Sequence, residues 1–131
     1  FGSMHNTGYI TVYMENLVGV FNFAFPVLPG REEQARAFAA EAVGAHAEHY
    51  TSLMKASGTT RVTWTLQETP VGSFILVWFE ADDVGKIFEI LATWTGEDAE
   101  WMRSRTMDVG GVDMREPVPG PQPELIMEWP A

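Results

Sequence analysis

The stretch TRVTWTLQETPVGSFILVWFE, residues 60–80, decides the fold. Residues 60–68 and 73–80 are both rich in β-branched and aromatic side chains, and Thr69-Pro70-Val71-Gly72 between them supplies turn chemistry. Together they read as an antiparallel hairpin. With Gln67 opposite Ser73, one face carries Val62, Trp64, Leu66, Phe74, Leu76 and Trp78, and the other Arg61, Thr63, Thr65, Gln67, Ile75, Val77 and Phe79. Both faces hold large apolar groups, so both need cover. Helices can cover one; a second copy of the sheet is the natural cover for the other.

Upstream, residues 17–25 alternate as a strand, with Gly19, Phe21, Phe23 and Phe25 on one side and Val18, Val20, Asn22 and Ala24 on the other. Pro26, Pro29 and Gly30 end it, and Arg31-Glu32-Glu33 opens a single long helix that reaches Ser57-Gly58 with Gly44 as its one interior breaker. At 100° per residue Ala35, Phe38, Ala39, Ala42, Val43, His46, His49, Tyr50 and Leu53 share one stripe, with His46 near its centre.

Downstream, Asp82-Asp83 caps a helix over residues 84–93, and a further helix over residues 98–107 stops at Gly110-Gly111. Residues 112–114 read as a short strand. The run 116–123 contains four prolines and is an extended connector, leading to a last strand over residues 125–129.

The order is then β-α-β-β-α-β, an α+β ferredoxin-like sheet with helices on one face. At 131 residues the chain is one domain, spanning 17–131. Residues 4–16 form an N-terminal arm or extra strand, and Phe1-Gly2-Ser3 before Met4 reads as the remnant of a purification tag.

Composition narrows the function. Apolar residues at 46% and charged residues at 20% are globular values. Eight Lys and Arg against eighteen Asp and Glu, a net charge of −10, repel nucleic acid and anionic membrane surfaces. There is no cysteine, which excludes disulfides, thiolate metal sites and cysteine nucleophiles and is compatible with a reducing cytosol. No apolar run is long enough to span a membrane, so the expectation is a cytoplasmic protein. No phosphate-binding glycine loop and no nucleophile elbow occurs.

The best chemical constellation is His46, His49 and Tyr50 on the inward sector of the long helix, above a wall of Trp64, Phe74 and Trp78. An imidazole exchanges protons near neutral pH, and a phenol can hydrogen-bond an enolate or phenolate. Flat side chains suit an aromatic ligand. The bland alternative makes His46 a core histidine bonded to a carbonyl, His49 and Tyr50 helix-edge residues, and Phe74 ordinary core. As metal ligands His46 and His49 lack a third partner at any telling spacing, so neither a metal nor a cofactor is expected.

Five stretches carry a resemblance: Ala24-Phe-Pro-Val-Leu-Pro-Gly30, Glu68-Thr-Pro-Val-Gly72, Phe79-Glu-Ala-Asp-Asp83, Gly110-Gly-Val-Asp113 and Pro123-Glu-Leu-Ile-Met-Glu-Trp129. Together they resemble a small bacterial family of the dimeric α/β-barrel superfamily, over residue 23 to the end. That resemblance implies a homodimer with facing sheets and a pocket in each subunit between its helices and its own sheet. The superfamily includes cofactor-independent monooxygenases, polyketide cyclases, isomerases, haem enzymes and stress-response proteins. Two functions are therefore expected in competition. One is a cofactor-independent cyclase, isomerase or monooxygenase acting on a small hydrophobic, aromatic or polyketide-like molecule, with His46 as acid or base. The other is a non-catalytic small-ligand or stress-related dimeric module.

Overall fold

A computed structural model describes residues 19–116 and 123–130. The expected tag remnant, the N-terminal arm and most of the proline-rich connector lie outside the described residues. Among the described residues the elements run β1 (Val20–Val27), α1 (Glu32–Val43), α2 (Ala47–Ala56), β2 (Thr59–Thr69), β3 (Gly72–Ala81), α3 (Val84–Thr93) and α4 (Glu97–Gly110).

The strands form an antiparallel sheet in the order β1-β3-β2. β1 and β2 therefore run parallel with β3 between them, which is a split β-α-β crossover. The molecule is an α+β fold with its helices gathered on one sheet face.

The hairpin register differs from expectation by one residue. Glu68 opposes Ser73 and Gln67 opposes Phe74, because the loop is only Pro70-Val71 and Thr69 pairs with Gly72. The Thr69 hydroxyl closes the turn, accepting from the Val71 N–H (3.2 Å) and donating to the Gly72 carbonyl (2.6 Å). A one-residue slip exchanges the faces of a strand. Ile75, Val77 and Phe79 thus join Val62, Trp64 and Leu66 beneath the helices, and Phe74, Leu76 and Trp78 turn to the opposite side with Thr63 and Thr65.

The long helix is also two helices. Gly44, Ala45 and His46 form a turn in which the His46 N–H donates to the Glu41 carbonyl at 2.8 Å. A Cβ on Gly44 would lie 2.7 Å from the Ala40 carbonyl oxygen, so the local backbone requires glycine. Around this turn the apolar stripe is interrupted. Val43, placed inward by the unbroken wheel, is 79% exposed, while Ala35, Phe38, Ala42 and Leu53 are buried.

α3 has its expected bounds, and the Asp83 carboxylate accepts from the Gly85 N–H at 3.1 Å as its cap. α4 ends on Gly111 in the left-handed conformation (φ +68°). Just before it, Gly110 is pressed on β1: a Cβ there would sit 2.4 Å from the Pro26 carbonyl oxygen and 2.5 Å from the Phe25 ring. The Leu28 N–H donates to the Val109 carbonyl (2.8 Å), and Arg31 pairs with Asp108 (2.5 Å), fastening α4 to the loop after β1.

Neither expected C-terminal strand is present. Residues 112–114 belong to a turn region in which the Glu116 N–H donates to the Asp113 carbonyl at 3.0 Å, and Arg115 clamps the Asp113 carboxylate. Residues 125–129 lie outside the sheet, with Ile126, Met127 and Trp129 exposed. Alternating apolar residues make a strand only where a sheet edge accepts their backbone, and no described edge does so here.

Candidate functional site

Between the sheet and the helices lies an apolar hollow. Its floor is Phe23 and Phe25 of β1, Trp64 of β2, and Ile75, Val77 and Phe79 of β3. Its roof is Phe38 of α1, Tyr50, Leu53 and Met54 of α2, Ile87 and Leu91 of α3, and Met102 and Thr106 of α4, with Met114 beside them. The cavity volume is about 60 Å³. Room of that size suits a compact guest. Larger guests need the wall to give, and the three methionines are the unbranched side chains able to do so.

Strand alternation delivers the floor, since the phenylalanines of β1 fall on the covered side together. Trp64 stands between two aromatic neighbours. Phe38 is tilted against it with centroids 4.8 Å apart, and Tyr50 meets it edge-on at 5.8 Å. Such pairs fix ring orientation beyond simple area burial.

Tyr50 is the one ionisable residue on this lining. Burial pushes its phenol well above the ordinary value, and the neighbouring Trp64 indole offsets only part of that. The phenol therefore stays protonated at neutral pH. The Thr106 hydroxyl donates to the Arg103 carbonyl (3.0 Å), within its own helix.

A separate polar cluster joins α1, α2 and α4 outside the hollow. Glu41 accepts from Arg105 Nε (2.7 Å) and from Trp101 Nε1 (2.8 Å). The Arg105 hydrogen bond, then that of Trp101, holds the Glu41 carboxyl below its usual range. His46 stacks flat on the Trp101 indole, centroids 4.1 Å apart and planes at 8°, and its Nδ1 is buried without a partner. His49 Nδ1 lies 2.6 Å from Asp98 Oδ2.

Of the residues singled out in the sequence, the structure brings Tyr50 and Trp64 to the hollow. His46 and His49 lie outside its lining, turned to α4 by the break at Gly44. Phe74 and Trp78 lie across the sheet, where the register sends them, and Trp78 donates its indole N–H to Glu80 (2.8 Å). Sequence reasoning missed Phe23, the methionines, and the Glu41-Trp101-Arg105 cluster. Phe23 was legible as an inward β1 position. Trp101 and Arg105 are one helical turn apart, a spacing that marks a shared face without naming Glu41 as the acceptor.

Among the described residues no group of three His, Cys, Asp or Glu side chains is arranged to hold a metal ion, and no helix is long and apolar enough to cross a membrane. The chain matches no protein-family model, no curated protein and no solved structure.

Proposed function

We propose that this protein binds a small, neutral, apolar molecule in the hollow beneath α2. The observation that carries the reading is the lining itself: aromatic rings, methionines and aliphatic groups from every described strand and helix, with a protonated phenol as the one ionisable group. Such a wall rewards transfer of apolar surface from water and penalises a charged guest. A neutral fluorescent probe, N-phenyl-1-naphthylamine, should bind saturably at one site per chain. Met54→Trp, which fills the hollow from α2, should weaken it about tenfold, or about 1.4 kcal/mol, with unchanged circular dichroism. Absence of saturable binding to the wild-type protein removes the reading.

A catalytic reading, a cofactor-independent cyclase, isomerase or monooxygenase, has Tyr50 in its favour, since a protonated phenol on an apolar wall can donate to a developing oxyanion. His46 and His49 do not line that wall. The two readings part on Tyr50→Phe, which should leave probe affinity within about twofold under the binding reading and abolish turnover under the catalytic one.

The homodimer belongs to the same proposal, with the sheet face that no described helix covers as its interface. In a chain of net charge −10, the outward residues of the three strands carry charge only at Arg61 and Glu80, which face each other at 3.6 Å. Leu76 and Trp78 are exposed on it beside Thr63 and Thr65, above a groove. Two acidic copies can approach closely where neither carries net charge, and charge depletion is the mark of an interface centre. Sedimentation equilibrium should give a dimer for the wild type and a monomer for Trp78→Asp. A wild-type monomer at about 100 µM overturns it.

A further inference from the structure

We infer that α2 is a hinged lid on the hollow, latched by His49 on Asp98, so that contacts outside the cavity govern entry and exit. The inference rests on the hollow being a binding site.

α2 is set off from both neighbours by glycine. Gly44 begins the turn before it, in a backbone that leaves no room for a Cβ, and Gly58 follows it at φ +72°. Its inward side chains, Tyr50, Leu53 and Met54, are roof residues of the hollow, so moving this ten-residue helix alone would open the cavity. Sheet, α1, α3 and α4 need not move.

Part of what holds it shut is lateral. His49 meets Asp98 at 2.6 Å, with side chains 51% and 28% exposed, and His46 stacks on Trp101. Both contacts are to α4; the other restraints on α2 are Tyr50 against Trp64 and the burial of Leu53, contacts that a guest entering the hollow would replace.

The closed state also carries its own counterweight. His46 Nδ1 is buried and makes no hydrogen bond, whereas Trp101 beneath it is satisfied by Glu41. A buried nitrogen without a partner forfeits hydration that opening restores. A latch at the surface set against an unsatisfied group inside is a two-state element, and ligand contacts with Tyr50, Leu53 and Met54 bias it toward closure.

Stopped-flow fluorescence with N-phenyl-1-naphthylamine tests this on the full chain. In Asp98→Asn and in His49→Ala the probe's dissociation rate should rise at least about fivefold while the binding amplitude is kept. Rates within about twofold of wild type overturn the lid and leave the binding site standing. Hydrogen exchange supplies a readout that needs no ligand. Amides of residues 47–56 should exchange faster than those of residues 32–43, and Asp98→Asn should accelerate them selectively. Acceleration spread evenly over α1, α3 and α4 would mean that Asp98 only stabilises the fold, and would overturn the latch. If the wild type shows selective α2 exchange yet binds no probe, the reading of the hollow fails and the helix motion stands.

Discussion

Leu76 and Val77 are neighbours on β3 and enter different worlds. Val77 points beneath the helices and is 7% exposed; Leu76 points the other way and is 38% exposed. The same division runs along the sheet, with Ile75 and Phe79 buried and Trp78 left open. One face is closed by α1 to α4 and encloses the hollow. The other is wide, nearly uncharged and lined by threonines, leucine and tryptophan. The covered face holds the protomer together, and the other is the interface of the proposed dimer.

The largest effect expected from this contrast is between Phe79→Ala and Leu76→Ala. The first empties a buried site against Phe23 and Phe88 and should cost about 3–5 kcal/mol in urea unfolding. The second should cost below about 1 kcal/mol when measured on the Trp78→Asp background. Similar losses at both positions would break the division of faces.

Next in size is Gly110→Ala. The added methyl meets the Pro26 carbonyl and the Phe25 ring, so the end of α4 must lift from β1, at about 2–3 kcal/mol. Urea midpoints compared with Gly111→Ala separate the close approach from the left-handed backbone requirement.

Thr69→Val is a smaller test, aimed at the register. It removes both hydroxyl bonds that close the two-residue turn and should cost about 1 kcal/mol. Retention of the Leu66–Ile75 cross-strand contact by NMR shows that packing of the covered face keeps the register without the turn.

The smallest effect is with pH. The folded phenol of Tyr50 ionises above its ordinary value because it is buried, so its contribution is whole below about pH 10 and fades as pH rises through the higher folded value. Thermal midpoints between about pH 9 and 11 should fall for the wild type and fall less for Tyr50→Phe.

Much of the architecture was legible in the residues. Paired alternating runs around Thr69-Pro70-Val71-Gly72 marked the hairpin, Asp83 marked the start of α3, and Gly110-Gly111 marked the end of α4. Two signals misled. β2 alternates but β3 is apolar at every position from 74 to 79, so periodicity could not choose between registers one residue apart, and the two-residue loop decided it. The stripe across residues 35–53 is helical throughout, yet a single glycine splits it and turns His46 and His49 toward α4. These two differences divide the expected constellation, because a slip of one residue or one turn moves a side chain to the far side of its element. Tyr50 and Trp64 line the hollow because each lies inward under either reading.

Composition and pattern by themselves determined that this chain makes an acidic α+β domain around an antiparallel hairpin, since charge, alternation and turn residues act over a few positions. Which face the helices cover, where the long helix breaks, and which aromatic residues share the hollow were decided only in three dimensions. Those choices depend on competition between nearly equal apolar surfaces for the same cover, and that competition is settled by packing among elements far apart in the chain.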